Sequence, residues 1–260
     1  MLTSEYLQTD FKESILSITL NHPKANAFND QMIIELQAAL KQAARDTQVR
    51  CVLLTGTGKF FSTGRDLTDV PLRADESFRE NLQRTFNPLI LQIRNLEKPV
   101  LAAINGTVAG AALGLALACD LRIASEEARF VVGFLGIGLS LDSGVSRFLP
   151  ALIGLGRASE YAFTNAPITA QQALAWGLVN RLAPAEELSA QSIALAIELA
   201  RGPVHAMGLA KRDFNKAMLG NLEQVLDYEA HNQEIARREG AFKEGIEAFL
   251  EKRPARFDQL

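Results

Sequence analysis

Residues 98–120 read K-P-V-L-A-A-I-N-G-T-V-A-G-A-A-L-G-L-A-L-A-C-D, and the fold depends on how this stretch is divided. Between Pro99 and Cys119 it carries no charge. Val100 to Ile104 is short and wholly apolar, as a fully buried strand would be. Asn105-Gly106 is a strong turn signal. Glycines at 106, 110 and 114 then sit among small residues and lead into an Ala/Leu-rich run. The division is strand, tight turn, glycine-rich approach, buried helix. Such a helix start leaves unpaired backbone N–H groups with the positive end of the dipole behind them. Small side chains let another molecule approach those groups closely. Donors fixed in this way suit an oxygen on which negative charge develops. The same run also reads as a buried helix whose glycines serve close packing alone, and this stretch by itself leaves both readings open. A membrane span is disfavoured, because Asn-Gly interrupts the run and Glu97, Lys98, Asp120 and Arg122 flank it.

The chain has 260 residues, 48% of them hydrophobic, enough for a sizeable core in one domain or one and a half. A net charge of -3, without a basic cluster interleaved with aromatics, argues against nucleic acid or an anionic membrane as partner. Cys51 and Cys119 lie in apolar runs and read as buried; neither a disulfide framework nor a zinc site is expected. The N-terminal residues lack the pattern of a signal peptide and F-D-Q-L is no peroxisomal address, so a cytoplasmic protein is expected.

Before the central stretch, Ile15 to Leu20 alternates and is β-branched, which predicts a strand. Asn29 or Asp30 is placed to cap a helix carrying Met32, Ile33, Leu36, Leu40 and Ala43 at helical spacing. Cys51 to Thr55 is a short buried strand. The loop Lys59 to Asp69 follows, anchored by Phe60 and Phe61, with Gly64 supplying a turn conformation. A helix is expected from about Ser77 to Asn95, kinked or split by Pro88. After Asp120 a strand is expected over 121–124, then the apolar, irregular segment F-V-V-G-F-L-G-I-G-L-S-L-D-S-G, whose one ionisable residue is Asp142. A helix from about Ser143 is expected to stop at Pro150. Short helices over 155–163 and 169–175, a strand over 178–182, and helices over 186–200, 204–218, 222–238 and 240–251 complete the chain. Strand, helix, strand suggests helices covering a sheet. The switch from mixed α/β to helix near residue 184 divides 1–184 from 185–260.

Four separated stretches resemble the enoyl-CoA hydratase/isomerase (crotonase) family: N-H-P-K-A-N-A-F at 21–28, F-F-S-T-G-R-D-L at 60–67, K-P-V-L-A-A-I-N-G-T-V-A-G-A-A at 98–112, and A-W-G-L-V-N at 175–180. The C-terminal A-F-L-E-K-R-P-A-R-F is similar to that family's ending. The resemblance implies a spiral of ββα units with a C-terminal helical trimerisation region, and a homotrimer or hexamer. It implies the enolate of an acyl-CoA thioester held by two backbone N–H groups, here those of Arg65 and Ala111. Lys24, Ala25, Ala27, Ser62, Gly64, Asp66, Leu67 and Lys252 are the implied CoA-binding residues, with Phe249 as a further candidate. No cofactor is implied, since coenzyme A is part of the substrate, and no metal.

Hydratases of this family carry two glutamates, at positions occupied here by Gly114 and Phe134. Activating a water needs a positioned base, so the resemblance argues against classical hydration. Gly114 and Phe134 are instead placed at the substrate pocket, with Phe86, Leu135 and Phe163 as further apolar candidates. Asp142 matches the single acid of Δ3,Δ2-enoyl-CoA isomerases, and of ring isomerases that act on phenylacetyl-derived CoA esters. The implied activity is a double-bond isomerase of fatty-acid metabolism in which Asp142 moves one proton. As a local residue Asp142 also reads as a helix N-cap. Dehalogenases of the family place an Asp there too, but add a Trp where this chain has Phe134 and a His where it has Leu91. His22, His205 and His231 match neither position. A non-catalytic acyl-CoA binder is the remaining alternative.

Overall fold

The computed structural model describes residues 5–68 and 77–260. Asp69, the last residue of the Lys59–Asp69 loop, lies outside them. The chain opens with an antiparallel hairpin of β1 (Leu7–Lys12) and β2 (Ile15–Leu20). Its two-residue turn puts Glu13 and Ser14 at φ 52° and 60°. Both are left-handed, a conformation usually signalled by Asn or Gly, so β1 had no turn signal to announce it. Helix α1 (Asp30–Arg45) is capped by Asn29, whose Oδ1 accepts from Met32 N at 2.8 Å, and it buries Met32, Ile33, Leu36, Leu40 and Ala43.

From there the chain alternates between two sheets. β3 (Cys51–Gly56), β5 (Val100–Ile104), β7 (Leu121–Ser125) and β10 (Arg181–Ala183) extend the first sheet in parallel, giving the order β1-β2-β3-β5-β7-β10. β4 (Phe60–Ser62), β6 (Thr107–Ala109), β8 (Arg129–Val131) and β9 (Ile168–Thr169) form the second, in the order β4-β6-β8-β9. β4, β6 and β8 are parallel; β9 is antiparallel to β8. From β3 to α5 each turn of the chain thus deposits one strand in the first sheet, one in the second and then a helix. The strands β6 and β8 are three residues long, too short to show a period in sequence.

The uncharged run of β5 is apolar because both of its faces are covered. Val100, Ala102 and Ile104 face the main core with α1, α3 (Phe86–Asn95) and α4 (Ala111–Ala118). Leu101 and Ala103 face a second cluster with Cys51, Leu53 and α8 (Leu188–Arg201). Strands buried on both faces carry this kind of continuous hydrophobic sequence. Of the helices after residue 184, α8 is therefore packed onto the sheet. Arg50, next to β3, donates from Nε to Ala200 O at 2.5 Å and from NH2 to Gly202 O at 2.8 Å. Both thiols are free and buried, and burial pushes each up to about 12.

Three expectations change. The helix expected from Ser77 to Asn95 is split as foreseen, but at Thr85 and not at Pro88, giving α2 (Phe78–Arg84) and α3. Pro88 therefore lies in the first turn of α3, where its missing N–H has no helical partner to lose. Pro150 does not end its helix: α5 runs Val145–Ile153 through it and stops at Gly154 (φ 84°), held by the buried Phe148, Leu149 and Ile153. The strand expected over 178–182 is shifted to β10, because Leu178 and Val179 donate to Ala173 O and close helix α7 (Ala170–Ala175). The remaining helices are α6 (Leu155–Thr164), α9 (Val204–Met218), α10 (Leu222–Arg237) and α11 (Gly240–Glu251). No single described helix is long and apolar enough to cross a membrane.

Candidate active site

Because β4, β6 and β8 are parallel, their C-terminal ends share one edge, and the loops that leave them meet there. The loop after β4 turns at Gly64 (φ 86°) and the loop after β6 at Gly110 (φ 57°). Both conformations favour glycine. At Gly64 a β-carbon would also stand 2.7 Å from Ala109 O and 3.4 Å from Ala111 N, so the two loops run in direct contact. Phe28 N donates to Gly64 O at 2.7 Å and Asp66 N to Phe28 O at 2.9 Å, which leaves the Arg65 N–H outside that pairing. Ala111 is the first residue of α4, where a backbone N–H has no intrahelical acceptor. Among the described residues neither N–H has a hydrogen-bond partner. Arg65 and Ala111 both line a cavity of about 800 Å³.

The Arg65 side chain anchors its loop. Its NH1 meets Asp30 Oδ1 at 2.5 Å, and Arg84 NH2 meets Asp30 Oδ2 at 2.6 Å. Burial pushes the Asp30 carboxyl up, but the guanidiniums of Arg84 and Arg65 outweigh it and hold it below its ordinary value.

Asp142 lines the same cavity and is 8% exposed. Ser143 Oγ donates to its Oδ1 at 2.7 Å and Gln233 Nε2 to its Oδ2 at 2.8 Å. Burial pushes its carboxyl up to about 7, and the Glu229 carboxylate adds to the rise. The Ser143 and Gln233 hydrogen bonds and the Arg65 charge act against it without cancelling it. Asp142 does not cap α5: its side chain bonds to no helix N–H, and that task falls to Glu229. Glu229 Oε2 accepts from Gly144 N at 2.8 Å and its Oε1 from Ser146 N at 3.0 Å. A carboxyl near 7 that lines one cavity with two unpaired N–H donors is equipped to take up and return a proton while an oxyanion is stabilised.

The implied CoA-binding residues divide. Lys24, Ala25, Ala27, Asp66 and Leu67 line the cavity. Lys24 Nζ reaches Asp66 Oδ2 at 3.0 Å and Thr68 Oγ1 at 2.5 Å. Ser62 and Gly64 lie behind the lining; Ser62 is fully buried and its Oγ accepts from Gly64 N at 3.2 Å, shaping the turn. Lys252 does not line the cavity either. It ends α11 in a left-handed conformation and is exposed, while Phe249 and Arg253 on either side face the cavity.

Of the pocket candidates, Phe134 and Phe86 line the cavity. Gly114 does not: it is fully buried inside α4, and a β-carbon there would overlap the Ser143 carbonyl oxygen. The position holds glycine because the Asp142 turn packs against it. Phe163 is 75% exposed on α6, and Leu135 sits outside the lining. Gln233 and Glu229 were not visible in sequence, since they lie about ninety residues from Asp142 on a helix without local markings. No group of three or more His, Cys, Asp or Glu among the described residues is placed to hold a metal ion.

The model of the family described as enoyl-CoA hydratase/isomerase matches residues 10–260. A 1,2-epoxyphenylacetyl-CoA isomerase of Escherichia coli (strain K12) is 37% identical over 97% of this chain and 98% of its own length. A 4-chlorobenzoyl coenzyme A dehalogenase of an Arthrobacter species is 30% identical over 96% of this chain and 92% of its own. Among solved structures, an enoyl-CoA hydratase from Mycobacterium avium subsp. paratuberculosis K-10 superposes with a TM-score of 0.89 at 32% identity, covering 98% of this chain and 99% of that one. The parallel strands, the paired N–H loops and a match over nearly the whole chain together show that the protein belongs to the enoyl-CoA hydratase/isomerase family.

Proposed function

We propose that the protein is an acyl-CoA double-bond isomerase that converts a 3-enoyl-CoA to the 2-enoyl isomer, with Asp142 as proton shuttle. The observation that carries this reading is Asp142 itself, a carboxyl raised to about 7 that lines the same cavity as Arg65 and Ala111 with their unpaired N–H groups. The ionised carboxylate takes the C2 proton, the electron pair moves into the thioester carbonyl, and the oxyanion is held by the two N–H donors. The protonated carboxyl, whose proton can exchange with solvent, then delivers a proton to C4 as the double bond forms between C2 and C3. Asp66, the other acid lining the cavity among the described residues, is engaged by Lys24 and Thr68 and held below its ordinary value.

The loops bearing Lys24 and Asp66 and the C-terminal Phe249 and Arg253 would receive the CoA moiety. The protein would work in the cytoplasm as a homotrimer or hexamer. A second reading, isomerisation of a ring epoxide on a CoA ester, is favoured by the 37% identical relative and would use the same groups. Nucleophilic dehalogenation is less well supported: no histidine among the described residues lines the cavity, and Phe134 stands where the dehalogenases carry Trp.

The test is turnover of a panel of 3-enoyl-CoA esters and a ring-epoxide CoA ester. Conversion of the former supports the first reading and conversion of the latter alone the second. Tight binding with no turnover of either leaves a binder.

A further inference from the structure

Asp142 is held from a helix far away in sequence. Glu229 and Gln233 lie four residues apart on α10, hence on one face of it. They are 4% and 1% exposed, whereas Tyr228 and Ile235 on the same helix are at least half exposed. Gln233 reaches the Asp142 carboxyl itself. Glu229 reaches the turn that carries it: Ser143 and Gly144 both have positive φ, 55° and 78°, and the Gly144 N–H is bonded to Glu229.

Capping alone does not call for a buried carboxylate. A Ser, Asp or Asn just ahead of the helix would satisfy the same donors at little cost, whereas burying a charge is expensive. The N-cap residue of α5 is instead Gly144, which offers no side chain. A carboxylate in this position does something a neutral cap would not: it opposes a second negative charge on Asp142. Gln233 acts in the other direction, since its N–H bond is made to the ionised form.

We propose that Glu229 and Gln233 are positioning residues of the Asp142 proton shuttle, Gln233 holding the ionised carboxylate and Glu229 opposing its charge. The helical region after residue 184 thereby supplies part of the acid–base site. The inference rests on the reading of Asp142 as shuttle. The charged groups acting on Asp142 are Glu229 from α10 and Arg65 from the loop after β4, together with the positive end of α5.

The experiment follows the Asp142 carboxyl by carbon-13 NMR in protein labelled at aspartate, from pH 5 to 9, alongside the pH profile of kcat/KM. In Gln233→Met the midpoint moves up by about 1 pH unit, the worth of one hydrogen bond to a charged group. The rising limb of kcat/KM moves with it. At pH 7 kcat/KM falls roughly fivefold, because the ionised fraction of the free enzyme drops from about half to about a tenth, while KM changes less than about twofold. In Glu229→Gln the midpoint and the limb move down. A merely structural role would lower the melting temperature and leave both midpoints in place. Unmoved midpoints in the folded variants overturn the proposal. If Gln233→Met fails to fold, Gln233→Asn, whose shorter amide stops short of Oδ2, is read in the same way. The titration decides the proposal whether or not Asp142→Asn retains turnover, so a failure of the shuttle reading is seen separately.

Discussion

A β-carbon at Gly114 would overlap both the carbonyl oxygen and the β-carbon of Ser143, the residue after Asp142. The position at which the family resemblance places one hydratase glutamate is thus filled by the turn that presents Asp142. Gly114→Glu is expected to destabilise the fold by about 2 kcal/mol or more, as overpacking does, and not to confer hydration of crotonyl-CoA. Thermal denaturation and loss of the enoyl absorbance check the two halves. Asp142 gives a second expectation at this scale. Its native pKa, near 7, lies above its unfolded value, so the native state binds the extra proton between about pH 4 and 7. Its contribution to stability is therefore present at low pH and lost as pH rises through 7. Relative to wild type, Asp142→Asn should gain stability between pH 5 and pH 8, read by urea denaturation at both. Activity runs the opposite way, rising through pH 7 as the base ionises. Asp142 was legible because an acid alone in an apolar segment is conspicuous. Gln233 was not, since its role depends on a contact across 91 residues of chain.

The element that shapes the far side of the cavity is α11. It lies against the single turn of 3-10 helix at Leu135–Ile137, and a β-carbon at Gly245 would overlap the Ile137 carbonyl. Phe242, Ala248 and Phe249 on α11 and Gly136 and Ile137 on the short turn all face the cavity. Gly245→Ala is expected to push the two apart at a cost of about 1–3 kcal/mol. KM should rise by a larger factor than kcat falls, since Asp142 and the two N–H donors lie elsewhere. Steady-state kinetics with melting curves check this. At this scale the sequence was readable where elements were long or capped. Asn29 caps α1, and the Thr169–Gln172 capping box starts α7. It was unreadable at β1, whose turn is Glu13-Ser14, and in the three-residue strands of the second sheet, where tertiary pairing and not local pattern defines the element.

At the scale of the whole molecule, large apolar side chains stay in the open on the outer helices: Phe163 at 75%, Phe214 and Tyr228 at 66% and Phe249 at 56% exposure. The family resemblance implies that the outer helices carry the contacts between subunits, and contiguous apolar surface is what such contacts use. Sedimentation at micromolar concentration is expected to give a trimer or hexamer; a monomer alone would contradict it. The thioester α-proton is weakly acidic, so its removal in the proposed reaction calls for Asp142 and the two N–H donors together. Asn at 142 keeps the size and cannot take the proton. The direct measurement is exchange of the C2 hydrogen of a 3-enoyl-CoA in D2O, by wild type and by Asp142→Asn with its folding and CoA-ester affinity checked. The expected result is a loss of exchange on the order of 10²-fold or more in the variant, as for removal of a positioned base. Exchange at the wild-type rate in Asp142→Asn would contradict it.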